Sequence, residues 1–180
     1  MQRYNRGFHA YLFIVNMFTS RPNKSNILAV AHNAIADATL LAQKLRIVYE
    51  GSGTERRHAA WIIEKVALLQ PTLLLGERHR LVRLAMNADI PHGLRRLLLA
   101  TIHHLPAEEE IDVSFFNFLL QQMTDLQSPP GVQAIAMKLA ERHSRTESAL
   151  HDEFLYIVRN IELDYYPPAL RSVARKFIKK

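Results

Sequence analysis

Paired arginines are the residues of this 180-residue chain best suited to hold a ligand. Arg57 and Arg95 lie 38 residues apart, and Arg171 follows Arg95 at twice that interval. A guanidinium group donates paired hydrogen bonds to phosphate or carboxylate oxygens. The repeated interval therefore indicates either a stripe that binds phosphates or a structural ladder, in which each arginine bonds carboxylates or carbonyls of a neighbouring repeat. We favour the ladder. In that case the adjacent Arg56 and Arg96 are the arginines that remain candidates for binding a ligand.

Aromatic side chains could also contact a ligand. Trp61 is the single tryptophan and lies in an amphipathic segment, so we favour packing in the core or between repeats. Phe115, Phe116 and Phe118 cover too wide an arc of one helix for all three to be core residues. One of them is expected to cover a neighbouring repeat or to reach the surface as a partner contact.

Reaction chemistry has little support in the sequence. The absence of cysteine excludes disulfides, thiolate metal sites and cysteine nucleophiles. The adjacent pair His103 and His104, and His151 in a His-Asp-Glu run, do not converge on one ion, because neighbouring helical residues point about 100° apart. Glycine-rich phosphate loops and nucleophile elbows are missing. We therefore expect no cofactor, no metal and no catalytic residue, and an enzyme is the weakest of the alternatives.

A 38-residue period determines how these side chains are positioned. Segments that begin at Pro91, Pro129 and Pro167 each run into a pattern with apolar residues at i, i+3, i+4 and i+7, which is typical of an amphipathic helix. The apolar positions stay in register after each shift of 38, as in Ala59, Leu97, Ile135 and Val173. No segment alternates with a period of two, so the chain is predicted to be all-α.

Each unit is predicted to be a pair of helices joined by a short loop. Neighbouring pairs must stack, because one pair cannot bury its own apolar face. The last helix has one apolar stripe and an otherwise basic surface, as the end of such an array requires. The predicted pairs are 26–49 with 54–68, 72–87 with 92–105, 111–126 with 130–143, and 147–163 with 168–180.

Residues 1–24 are predicted to be an N-terminal extension, and residues 25–180 the helical domain. The extension has two arginines before an apolar run from Ala10 to Phe18, a pattern similar to a secretory signal. The run is short, contains an asparagine and lacks a small-residue cleavage motif. We therefore favour a helix packed on the first repeat, or a chain that begins at Met17.

The repeats resemble HEAT repeats over about residues 26–180. A typical HEAT unit has an aspartate in the turn and an arginine six residues later, and Asp89 and Arg95 have this spacing. Arg57 and Arg171 occupy the equivalent arginine position in their own units. The resemblance implies a right-handed α–α solenoid of about four helical hairpins, in which the second helices line the concave face. It places six candidate binding residues on that face: Arg56, Arg57, Arg95, Arg96, Trp61 and Arg171.

The Ala-Ala-Trp sequence that ends at Trp61 is similar to a family of short bacterial HEAT-like proteins, some of which carry the label adenylosuccinate lyase. That enzyme superfamily uses a serine-rich loop with a Met-Pro-x-Lys-x-Asn signature, and this sequence has no such loop. The lyase activity is therefore not supported by motifs.

The net charge of +6 arises at the two ends of the chain. Residues 1–24 contribute +4 and residues 171–180 contribute +5, whereas the stretch between them has 14 basic and 17 acidic residues, a net charge of −3. A nucleic-acid groove would concentrate cations along the body. We predict a non-enzymatic scaffold that binds a protein partner through its concave face. Binding of a nucleic-acid backbone, or a DNA-glycosylase-like activity, is the alternative; no membrane association is expected, and the predicted location is the cytoplasm.

Overall fold

Helices form the regular structure of residues 24–107 and 110–178, the residues that the structure, a computed structural model, describes. No strand occurs in these two stretches, and the predicted all-α class is confirmed. The 3₁₀ segments are Pro71–Glu77 and Leu163–Tyr165. The α-helices are α1 (Lys24–Ala36), α2 (Ala38–Glu50), α3 (Gly53–Leu69), α4 (Arg78–Met86), α5 (His92–His104), α6 (Val113–Thr124), α7 (Pro130–Ser144), α8 (Ser148–Asn160) and α9 (Pro168–Ile178).

The helices stack in two rows. Second helices α3, α5, α7 and α9 pack against one another in chain order, and each first helix (α2, α4, α6 or α8) packs against the second helix of its own pair. Contacts between consecutive first helices are much sparser, and those of α4 with α6 are the main ones among the described residues. Each pair thus completes the core of the next, which makes the fold an α-solenoid.

Equivalent residues of successive units occupy equivalent places in this core. Four residues at intervals of 38 are each at most 1% exposed: Ala60, Leu98, Ala136 and Ala174. The alanines allow close approach of the second helices, because the side chains at a contact set the distance between helix axes. The 38-residue period is therefore a repeat of the structure as well as of the sequence.

The predicted single helix over residues 26–49 is wrong, because this stretch forms both α1 and α2. Asp37 has an extended backbone between them, and its carboxylate accepts hydrogen bonds from the amides of Thr39 (2.8 Å) and Leu40 (3.2 Å), which caps α2. α1 packs against α3 much as α3 packs against α5, so it extends the row of second helices. No proline or glycine marks the break in the sequence.

One other local expectation needs correction. Residues 72–77 belong to a 3₁₀ segment and not to a long α-helix, and Leu74 of this segment is fully buried. In the phenylalanine cluster, Phe115 and Phe116 are both fully buried, and Phe118 is half-buried against the core, so none of the three stands exposed. Within the described stretches, no helix has the length and apolar character needed to span a lipid bilayer. The predicted extension at residues 1–24 lies almost wholly outside the described residues.

Candidate interaction surface on the second helices

Arg95 ties the start of α5 to the end of α4. Its side chain is 6% exposed, and its guanidinium donates hydrogen bonds to the carbonyl oxygens of Ala85 (3.1 Å), Asn87 (2.8 Å) and Ala88 (3.5 Å). The last carbonyls of a helix have no partner within the helix, so a buried helix end needs such a donor. Burial lowers the pKa of Arg95 below its ordinary value. The neighbouring Asp89 is exposed and does not bond Arg95.

Arg56 and Gln133 make the same connection in the units before and after. Arg56 donates to the carbonyl oxygens of Val48 (2.8 Å) and Tyr49 (3.2 Å) at the end of α2, and Gln133 Nε2 donates to the Asp125 carbonyl (2.8 Å) at the end of α6. Arg56, and not Arg57, is therefore the structural counterpart of Arg95. These bonds join the two helices of one hairpin, so the expected ladder between neighbouring repeats is wrong for these residues.

Arg57 and Arg96 are the exposed members of the two arginine pairs. Each extends toward a glycine on the next second helix. Arg57 Cδ lies 3.9 Å from the position that a Cβ atom would take at Gly93, and Arg96 Cδ lies 2.8 Å from the corresponding position at Gly131. A cleft of about 480 Å³ between the starts of α3 and α5 is lined by both Arg57 and Gly93. The two arginines thus lie across the boundary between adjacent repeats.

The remaining candidates from the sequence lie on the same row of helices. Trp61 is half-buried and packs against the core with part of its surface, one helical turn after Arg57. Arg171 is half-buried at the start of α9. The structure therefore brings Arg57, Arg96 and Trp61 to one exposed side of the solenoid, while Arg56 and Arg95 bond the ends of first helices.

Sequence reasoning missed several cations on this side. Lys138 on α7 and Lys176 on α9 are both exposed and lie 38 residues apart. His104 and Arg142 are also separated by 38 residues, and Arg142 donates hydrogen bonds to the Ile102 (3.0 Å), His103 (2.6 Å) and Leu105 (3.0 Å) carbonyls at the end of α5. The interval that identified the arginines would have identified these residues too. We call the following set the second-helix face: Arg57, Trp61, Lys65, Arg96, Ala100, His104, Lys138, Arg142 and Lys176.

The comparisons with known proteins agree with this architecture. The family model of the HEAT repeat domain matches residues 14–180. The chain belongs to this family. No curated protein and no solved structure matches the chain. The match to the HEAT repeat domain begins inside the predicted N-terminal extension, and the boundary between residues 24 and 25 stays a prediction.

Two carboxylates near the second-helix face of this HEAT domain, Glu64 and Glu141, are already paired. Glu64 is 7% exposed; its Oε1 atom lies 3.2 Å from His104 Nε2 and its Oε2 atom 2.8 Å from Lys65 Nζ. Burial raises the pKa of Glu64, but hydrogen bonds from His104 and Lys65 outweigh it and hold the pKa below its ordinary value. Glu141 makes a bidentate pair with Arg145. Arg57, Arg96 and Lys138 have no carboxylate partner within the described residues.

His103, His143 and Ser144 of the HEAT domain are wholly or partly buried. Burial, together with the nearby Arg142 charge, lowers the pKa of His103 and of His143 to about 4, so both rings are neutral at pH 7. Ser144 Oγ lies 3.1 Å from His151 Nδ1, but the serine is fully buried and beyond the reach of a substrate. Among the described residues, no group of three or more potential ligands is arranged to hold a metal ion.

Proposed function

We propose that this HEAT repeat protein is a non-enzymatic scaffold that binds a protein partner through the second-helix face. The observation that carries the proposal is the continuity of this face across α3, α5, α7 and α9, each of which contributes at least one exposed cation to it. Quasi-linear arrays of this kind provide extended surfaces in preference to deep pockets. A partner would therefore contact several repeats at once.

The packing of the two rows supports the concave side as the binding side. Second helices contact one another along the whole row, whereas first helices make few contacts with each other. An array bends toward the row whose helices lie closer together. The second-helix face would then line the concave side, where a bound segment meets side chains of several helices together.

The alternative, binding of a nucleic-acid backbone, has one feature in its favour, the exposed cations Arg57, Arg96 and Lys138, which have no carboxylate partner among residues 24–107 and 110–178. Arg56 and Arg95, which that alternative also needed, donate to backbone carbonyls. We therefore keep protein binding as the proposal. The cytoplasmic location expected from the sequence stays a prediction, as does the bacterial origin that the resemblance to short bacterial HEAT-like proteins implies.

Site-specific photo-crosslinking in cells tests the proposal. A benzophenone amino acid replaces Ala100, which lies on the second-helix face, or Ala42, which is exposed on α2. We expect protein adducts from position 100 and few from position 42, with mass spectrometry to identify the partner. Adducts only with nucleic acid at position 100, or no enrichment over position 42, would overturn the proposal.

A further inference from the structure

We propose that the partner segment is acidic and extended, with carboxylates that pair with Arg57, Arg96, Lys138 and Lys176. This inference rests on the proposed function and specifies the chemistry of its partner. Each of the four second helices after α1 carries one of these cations, and all four side chains are exposed. None of them pairs with a carboxylate in the part of the chain that the structure describes.

Two acids near these four cations, within the described stretches, already have other partners. Glu64 is buried between Lys65 and His104, and Glu141 is held by both Nε and Nη2 of Arg145. Exposed cations in a row attract a complementary row of anions and steer its approach. The missing counter-charges would come from the partner.

Gly131 allows Arg96 to lie along this surface, because a Cβ atom there would approach Arg96 Cδ within 2.8 Å. The stem of Arg96 therefore extends over the neighbouring helix in place of a side chain there. The stem of Arg57 reaches the next helix in ordinary van der Waals contact, 3.9 Å from the position of a Cβ atom at Gly93. This places each guanidinium close to the repeat boundary, where a segment that crosses the helices would pass.

The spacing of the helices selects an extended peptide. Packed helix axes lie about 8–10 Å apart, so cations on successive second helices recur at about that distance. A polyproline II segment advances about 9 Å in three residues and returns a side chain to the same side at each turn. Carboxylates at every third position would therefore meet Arg57 and Arg96 in turn. Lys138 and Lys176 lie one helical turn further along their helices and have long flexible stems.

A protein segment fits this face better than a nucleic acid does. One exposed cation of this set for each helix is sparse for a polyanion, and the stretch between residues 24 and 171 carries a net charge of −3. Trp61 and Leu68 also lie on the α3 side of the face; Trp61 is half-buried, and Leu68 is 50% exposed. An aromatic and an aliphatic side chain beside cations suit a peptide that has both acidic and apolar residues.

Fluorescence anisotropy with the full chain tests the inference. One labelled probe is a peptide of four Glu-Pro-Pro repeats, and the second contains the same residues with all four glutamates at one end. We expect the spaced peptide to bind about tenfold more tightly, because only it can pair with successive helices. Equal affinity, or no binding of the spaced peptide, would overturn the inference.

Charge-matched variants locate the binding. Arg57→Ala, Arg96→Ala and Lys138→Ala are combined in one variant, and Arg46→Ala, Arg83→Ala and Arg159→Ala, which are exposed on first helices, in the control. Both variants lose three charges at surface positions where folding tolerates substitution. We expect the first to weaken binding at least tenfold and the control less than twofold. Equal losses would show that net charge alone attracts the peptide, and the inference would be wrong.

A variant that keeps every charge checks the geometry. Gly131→Ala forces the Arg96 stem to move, and we expect binding about threefold weaker at unchanged helix content. If single-stranded DNA of 12 nucleotides binds the face more tightly than the spaced peptide, the acidic-segment inference fails and so does protein binding. If Ala100 crosslinks to a protein while the spaced peptide does not bind, only the acidic-segment inference fails.

Discussion

Arg95→Ala should destabilise the protein substantially, because it removes the donor for the end of α4. The guanidinium makes two hydrogen bonds of 2.8 and 3.1 Å and a longer one of 3.5 Å, and the residue is 6% exposed. A hydrogen bond that involves a charged group contributes about 1.5–3 kcal/mol. Water that enters the vacated space would form hydrogen bonds to the same carbonyls and so recover part of this free energy. We therefore expect the free energy of unfolding to fall by about 3 kcal/mol.

Urea unfolding followed by far-ultraviolet circular dichroism measures this change. With an m value of about 2 kcal/mol per molar urea, a loss of about 3 kcal/mol lowers the midpoint by about 1.5 M. Arg96→Ala is the matched control, since it removes the same residue type from the next position of the same helix. Arg96 is exposed and has no hydrogen bond within the described residues. Its midpoint should change by less than about 0.25 M.

Arg95→Lys separates charge from geometry. A lysine keeps the positive charge but cannot donate to two carbonyls in the fixed fork of a guanidinium, so an intermediate midpoint is expected. Indistinguishable midpoints for Arg95→Ala and Arg96→Ala would refute the reasoning. They would mean that the carbonyl bonds of Arg95 contribute no net stability.

Three other predictions concern local features. Asp37→Ala removes the N-cap of α2 and should cost about 1 kcal/mol in thermal or urea unfolding; an unchanged stability would contradict the capping role. Glu64→Gln should lower the free energy of unfolding at pH 7. Because the pKa of Glu64 is lowered in the folded protein, the parent protein loses stability as the pH falls below about 4.5, and the variant should not show this loss. Parallel pH profiles of stability for the two proteins would contradict the ion pairs. His143 has its pKa lowered to about 4, so the unfolded chain binds more protons than the folded protein between about pH 6.5 and 4, and stability falls as the pH drops through this range. His143→Phe should flatten that decline by up to about 3 kcal/mol, and unfolding titrations with the same slope for both proteins would refute it.

The sequence predicted the residue type that bonds the helix ends better than it predicted the individual residue. The 38-residue interval selected Arg95, which does bond main-chain carbonyls, but within its own hairpin and not between repeats as expected. It assigned that position in the first unit to Arg57, whereas Arg56 makes the bonds. Neighbouring helical residues point about 100° apart, so a shift of one residue exchanges the buried and the exposed arginine. The spacing of residues along the sequence cannot reveal which of the two arginines is buried, because this depends on how α3 is rotated against α2.

The break between α1 and α2 shows the same limit. Asp37 is compatible with a helix interior in a short alanine-rich stretch and also with an N-cap, and propensity differs little between the two. The packing of α1 against α3 decides the matter, since it places α1 in the row of second helices. Lys138 and Lys176, by contrast, could have been found from the sequence, because they obey the same interval as the arginines.

Hydrophobic periodicity alone determined that the chain is helical, that its helices come in pairs and that the pairs must stack. These properties follow from the pattern, because an amphipathic helix with one apolar side is stable only when that side is covered. The tertiary structure decided which polar side chains donate hydrogen bonds to helix ends, as Arg56 and Arg95 do. It also decided which side chains remain exposed, as Arg57 and Arg96 do. That division depends on the rotation of each helix against its neighbours, and contacts between residues about 40 positions apart set this rotation.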